Sequence, residues 1–156
     1  DKESKETWEF TKGDDKQYKL IYTDENNKKG EFIAHFLKIG DKTFEVEMKA
    51  TIIQGWHLYS QQQPADAIAI PTEFVWNQNP LVQLKGKIRE VGKMERYKDA
   101  TLGVTAHQYS GQVTFVQTVE LKAKVKTALS GTVEYQTCDD EKCLPPKKIP
   151  FSISLK

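Results

Sequence analysis

Apolar and polar residues alternate with a period of two over long stretches of this chain, and few folds tolerate that pattern. In Thr43-Phe44-Glu45-Val46-Glu47-Met48-Lys49-Ala50-Thr51-Ile52, the residues Phe44, Val46, Met48, Ala50 and Ile52 fall on one side. Glu45, Glu47, Lys49 and Thr51 fall on the other. Successive side chains of a strand point to opposite faces, so this segment buries one face and wets the other. A second run repeats the pattern with Val113, Phe115, Val119, Leu121, Ala123 and Val125, interrupted by Gln117. Shorter versions cover Tyr18–Tyr22, Phe32–Ile39, Glu73–Trp76, Thr132–Thr137 and Ile149–Leu155. At helical spacing the same residues would scatter around the cylinder.

Turn chemistry punctuates these runs at Gly13-Asp14-Asp15, Asn26–Gly30, Gly40-Asp41, Asn77–Pro80, Ser110-Gly111 and Ser130-Gly131. Many short strands so separated predict an all-β sandwich or barrel. Gln61–Ile70, bounded by Pro64 and Pro71, reads as a helical turn or an irregular crossover. Glu90–Gly103 has no sustained period; a long functional loop and a solvated hairpin excursion are both open there. The 156 residues suit one domain. The charged opening reads as a flexible tail over residues 1–12, followed by a single domain over 13–156.

A net charge of +1 gives no electrostatic case for nucleic acid. No apolar run approaches the roughly 18 residues of a membrane span. No paired carboxylates at helical spacing, Ser/His/Asp set or glycine-rich phosphate loop occurs, so hydrolase and nucleotide-binding readings lack a site. Trp56, Phe74, Trp76 and Phe115 read as sandwich core, as does Tyr135, which alternates with Val133.

The chemistry concentrates in Thr137-Cys138-Asp139-Asp140-Glu141-Lys142-Cys143-Leu144-Pro145-Pro146, which holds both cysteines of the chain. Fully extended, that separation exceeds about 16 Å, whereas a disulfide needs α-carbons about 4.4–6.8 Å apart. Pairing them therefore requires the chain to reverse, and the four polar residues between them are good turn formers. Pro145 and Pro146 donate no ladder hydrogen bonds, so the strand beyond Cys143 starts irregularly or lies on an edge. A structural cystine is the default reading for an exported β domain. Against it, closing so short a loop contributes only about 2 kcal/mol, and a small polar loop exposes the bond to thiolate attack. A metal site is a third reading, but His35, His57 and His107 are scattered and no second cysteine pair completes a zinc set. Asp139, Asp140 and Glu141 disfavour a thiolate, whereas Lys142, Lys147 and Lys148 favour one.

Gly131–Cys138, the acidic insert and Cys143-Leu144-Pro145-Pro146 together resemble the active-site hairpin of the N-terminal periplasmic domain of DsbD-type thiol–disulfide interchange proteins. Upstream, Gly55-Trp56-His57-Leu58-Tyr59-Ser60 is similar to that domain's Gly-aromatic-aromatic-Leu-Tyr strand. The resemblance implies an immunoglobulin-like β-sandwich with a redox-active cysteine hairpin and a cap loop. It further implies a thioredoxin-like domain as electron donor, periplasmic thiol–disulfide proteins as acceptors, and no cofactor. Location would be periplasmic, with membrane attachment only through a parent protein and a signal segment outside this sequence. By position, Cys138 and Cys143 would be the redox pair, with Cys143 forming mixed disulfides, and Tyr59 would line the site. Tyr97–Gly103 would be the cap, with Asp99 matching its acidic residue and Leu102 near the aromatic tip. Leu102 is not aromatic, which leaves Tyr97 as the alternative shield. His57 stands where some members carry Tyr. It is expected either beside the sulfurs, shifting their titration, or as a histidine without redox effect. The rival to this whole reading is an Ig-like binding or structural module with an inert disulfide.

Overall fold

A computed structural model describes residues 7–12, 17–23, 29–98 and 103–155. Its strands are β1 (Thr7–Lys12), β2 (Gln17–Thr23), β3 (Lys29–Lys38), β4 (Thr43–Thr51), β5 (His57–Tyr59), β6 (Glu73–Trp76), β7 (Val82–Val91), β8 (Glu95–Lys98), β9 (Thr105–Tyr109), β10 (Gln112–Leu121), β11 (Thr127–Tyr135), β12 (Thr137–Cys138) and β13 (Lys147–Leu155). No helix occurs among the described residues. The strands form a six-stranded sheet in the order β1-β2-β3-β4-β10-β7, a three-stranded sheet β13-β11-β6 and a four-stranded sheet β12-β5-β9-β8.

The alternating runs become the core as the period demands. Phe44, Val46 and Met48 of β4 are fully buried, and Val113, Phe115 and Val119 of β10 lie beside them. From the opposite layer come Leu129 and Val133 of β11 with Phe151, Ile153 and Leu155 of β13. Aromatic contacts fasten the two layers together. Phe74 on β6 meets Phe115 on β10 at 5.0 Å between ring centroids, and Phe32 on β3 meets Phe151 on β13 at 5.9 Å. Trp56 lines a small apolar cavity between the layers with Phe32, Ile52 and Phe115; the cysteines themselves are not among its lining residues.

Several expectations shift. Residues 7–12, expected in the tail, form β1 and pair with β2 from Thr7↔Thr23 to Lys12↔Tyr18. The long run ends at Leu121 rather than Val125, because β4 and β7 supply no ladder partner beyond Glu120↔Thr43 and Leu121↔Val82. Gln117 interrupts the apolar pattern for a reason: it lies at a bulge, where its amide donates to the carbonyls of Lys85, Gly86 and Thr118. The segment Gln61–Ile70 is an irregular crossover with one turn, closed by Ala67 N–H donating to the Pro64 carbonyl at 3.0 Å. Within Glu90–Gly103, β7 runs to Val91 and Glu95–Lys98 forms β8, which pairs with β9, while residues 99–102 lie outside the described residues. All four β8 residues are exposed, so no burial alternation marks the strand in the sequence.

Ser130-Gly131 is not a turn but the interior of β11. A β-carbon added at Gly131 would sit 2.5 Å from the Val75 carbonyl oxygen and 3.2 Å from Trp76 Cα. The glycine therefore marks the close approach of β6, as interior strand glycines often do. Gly131→Ala should lower stability by about 1–3 kcal/mol through backbone displacement, read as a reduced urea midpoint with an unchanged slope.

Candidate redox site

The site is built on β5, the shortest strand that two neighbours share. A turn closed by Trp56 N–H donating to the Ile53 carbonyl at 3.0 Å feeds it, with Gly55 at φ +91°. Such a backbone conformation strains any residue with a β-carbon. β5 pairs with β12 through Thr137↔Leu58 and Cys138↔His57, and with β9 through Leu58↔Tyr109 and Tyr59↔Gln108. β9 in turn carries the β8 hairpin, from Glu95↔Gln108 to Lys98↔Thr105. Three separate segments of sequence thus meet at one sheet.

Cys138 and Cys143 are joined by a disulfide, as a lone antiparallel bridge with α-carbons 4.0 Å apart. Asp139 N–H donates to the Lys142 carbonyl at 2.8 Å, closing the turn between them. The Asp139 carboxylate accepts the amides of Glu141 and Lys142 at 2.8 and 2.6 Å. That acid is therefore used to hold the turn. Below it, Leu144 N–H donates to the Thr137 carbonyl and the Gln136 amide donates to the Leu144 carbonyl. The two sulfur-bearing residues differ sharply in access: Cys138 is 4% exposed, whereas Cys143 lies open to solvent.

A cleft of about 440 Å³ lies against the disulfide. Both cysteines, the acidic turn, His57, Tyr59, Tyr97 and Ile68 are among its lining residues. His57 Nδ1 lies 2.9 Å from Ser110 Oγ, and its Nε2 lies 3.6 Å from Asp140 Oδ1. Tyr59 is buried, and burial pushes its phenol upward, with Tyr97 adding to the effect. Tyr97 itself is exposed at the rim, as is Ile68. Of the three lysines near the pair in sequence, only Lys142 lines this cleft. Lys148 reaches Glu134 at 3.9 Å. Lys147 faces the inter-sheet cavity, where burial lowers its ammonium from the ordinary value. Asp99 and Leu102 lie outside the described residues.

Sequence reasoning missed Glu90, which anchors the site sheet. Its carboxylate accepts Ser60 Oγ at 2.6 Å, Tyr109 Oη at 2.7 Å, and both the backbone and side-chain nitrogens of Gln61 at 2.7 and 3.1 Å. A half-buried acid on a mostly exposed strand gave no signal until its donors were assembled from β9 and from the two residues that follow β5. Ser110 and Glu95 were missed for a similar reason, since they reach His57 only through the fold.

A family model described as "Thiol:disulfide interchange protein DsbD, N-terminal" matches residues 29–154. The chain belongs to the DsbD N-terminal family. Among solved structures it is similar to the N-terminal periplasmic domain of ScsB from Proteus mirabilis, at TM-score 0.56 and 16% identity. That match covers 86% of this chain and 49% of the other, so the chain spans about half the length of the ScsB structure. It is also similar to the DsbD N-terminal domain of Neisseria meningitidis in the reduced form, at TM-score 0.51 and 18% identity. Here 79% of this chain and 84% of the other are covered. No curated protein sequence matches significantly. The fold is the immunoglobulin-like sandwich of these DsbD-type domains, and the chain is a thiol:disulfide interchange domain carrying a disulfide.

Two results should follow from the Glu90 cluster. Glu90→Ala should cost about 2–3 kcal/mol, because charge-assisted bonds are lost and buried hydroxyls lose their acceptor. The second concerns alkali. Burial, then the hydrogen bond to Glu90 and its charge, push the Tyr109 phenol well above its ordinary value, and burial raises Tyr59 as well. Above about pH 10 the unfolded phenols ionise while the folded ones keep their protons, so stability falls as pH rises. Urea midpoints at pH 8 through 11 should decline in the native chain and decline less in Tyr109→Phe.

Proposed function

We propose that this domain is an electron relay, reduced by a thioredoxin-like donor and oxidised by periplasmic thiol–disulfide proteins. The observation that carries this reading is the unequal burial of the two cysteines. Cys143 is open to solvent at the turn, while Cys138 is 4% exposed behind it. An incoming thiolate has access to one sulfur and a line of departure for the other. The donor thiolate bonds to Cys143 Sγ, the Cys138–Cys143 bond breaks, and its electron pair passes to Cys138 Sγ. The donor's second thiol then attacks the mixed disulfide, which leaves the donor oxidised and both cysteines reduced. Oxidation by an acceptor disulfide runs the same steps backwards.

The surroundings support a protein partner over a small thiol. Ile68 and Tyr97 stand 71% and 52% exposed at the rim of the cleft, and an apolar rim around a reactive bond favours docking by another surface. Tyr97, the first residue of the expected cap, sits on β8 and lines the cleft, so it is the aromatic group we assign to shield the sulfurs until a partner displaces it. Tyr59 forms the buried floor against which that aromatic group closes.

Single-cysteine variants test the assignment. Cys138→Ser leaves Cys143 as a thiolate that displaces the aryl thiol from a thioredoxin-like protein lacking its resolving cysteine and activated beforehand as an aryl mixed disulfide, giving a stable protein–protein mixed disulfide. Cys143→Ser leaves the buried Cys138 and should trap little, as read by non-reducing gels. The double variant Cys138→Ser/Cys143→Ser should fold with a loss of only about 2 kcal/mol and transfer no electrons. Trapping through Cys138 alone, or unfolding of the double variant, would contradict the relay.

A further inference from the structure

The chain has three histidines, and the fold gives each a separate environment. His35 bonds Glu47 at 3.0 Å on the six-stranded sheet, and His107 lies 3.1 Å from the Gln62 carbonyl. His57 alone of the three lines the cysteine cleft, directly opposite Cys138 in the β5–β12 register. Directly opposed strand residues share a face, with β-carbons about 4.5–5.5 Å apart.

Ser110 settles which nitrogen of His57 carries the proton. A hydroxyl has one hydrogen, and Ser110 gives it to Glu95 Oε1 at 2.8 Å. Its oxygen therefore accepts from His57 Nδ1–H at 2.9 Å. Nε2 is left facing the Asp140 carboxylate at 3.6 Å. In the neutral ring this sets a lone pair against a carboxylate, acceptor against acceptor. A second proton on Nε2 converts that contact into an attraction. The charged or titratable groups around the ring are Asp140 from the turn and, through Ser110, Glu95 from β8. Asp139, Glu141, Lys142, Tyr59 and Tyr97 line the same cleft. Asp139 is already engaged by the turn amides. Acids outnumber the one lysine in this set.

We propose that protonated His57 is a positioning residue for disulfide exchange, holding a cation opposite Cys138 so that this buried sulfur departs as a thiolate. The inference rests on the relay reading above and adds a proton dependence to it. When an external thiolate bonds to Cys143 Sγ, the sulfur–sulfur bond breaks and its electron pair moves to Cys138 Sγ. The His57 proton stays on the ring, as counter-charge. A buried thiolate is otherwise disfavoured by desolvation, and Cys138 is 4% exposed. Deprotonating His57 removes the counter-charge, so the rate falls as pH rises.

The magnitude follows from two general relations. An opposite charge within about 4–6 Å changes an acidity constant by about 10–1000-fold. A leaving thiol departs faster the lower its pKa, and a partial response to that shift gives about a tenfold change in rate.

The oxidised protein offers a clean test, because its cysteines do not titrate. The rate of disulfide reduction by dithiothreitol is measured from about pH 5 to 8, the range in which histidine changes charge, and expressed per dithiothreitol thiolate. The native chain should lose about tenfold across that range. His57→Phe, and His57→Gln as the variant that keeps a donor for Ser110, should be slow and flat. His57→Lys, a cation throughout, should stay fast and flat. Folded variants that keep the native profile, or a native rate per thiolate that does not change, would overturn the inference while leaving the relay intact. A bond that dithiothreitol fails to reduce at any pH would sink the relay and this inference together.

Discussion

The backbone ladder between Cys138 and His57 holds the redox chemistry in place. It comprises two residue pairs, and everything that makes the disulfide addressable hangs from it. On one side it carries the cysteine turn; on the other, β5 transmits the position to β9 and the β8 hairpin. So short a strand makes a weak ladder by itself, and side chains reinforce it. Glu90 gathers hydroxyls from Ser60 and Tyr109, and Thr72 Oγ1 donates to the Tyr59 carbonyl at 2.6 Å. The site sheet is thereby pinned to the sandwich at its base, while its cysteine end faces solvent.

Stability and reactivity are assigned to different parts of the molecule. A fully buried Phe or Leu contributes about 1.5–3 kcal/mol, and the core holds Phe44, Phe115, Leu129 and Leu155 at 1% exposure or less. The disulfide closes a short loop worth only about 2 kcal/mol on the chain-entropy model. One core side chain equals it. The fold should therefore survive the opening of the bond, and the hydrogen bonds of Asp139, Gln136 and Leu144 hold the turn alongside the sulfurs. That separation is what an exchange module needs and what a stapled domain lacks.

The sandwich was legible in the sequence wherever one strand face is buried. β4, β10 and β13 carry their core residues at alternate positions, and these supply the six-stranded sheet and its facing layer. The cysteine turn was equally legible, since its spacing and turn residues leave few conformations. Strands exposed on both faces, β8 above all, left no periodic trace. Gly131 misled because a glycine needed for close packing looks in sequence like a glycine needed for a turn. His57 and Tyr59 came from a short motif, and both line the cleft. Their supports, Ser110, Glu95 and Glu90, lie 15 to 53 residues away along the chain from the groups they hold. Such pairs become visible only once the strands are registered.

The central claim is that the Cys138–Cys143 bond opens and recloses under the conditions of its compartment. Its reduction potential, measured by equilibration against graded dithiol–disulfide buffers, tests this most directly. A relay requires a potential above about −300 mV, within reach of thioredoxin-like donors. A value well below about −300 mV would mark an inert structural bond and contradict the account.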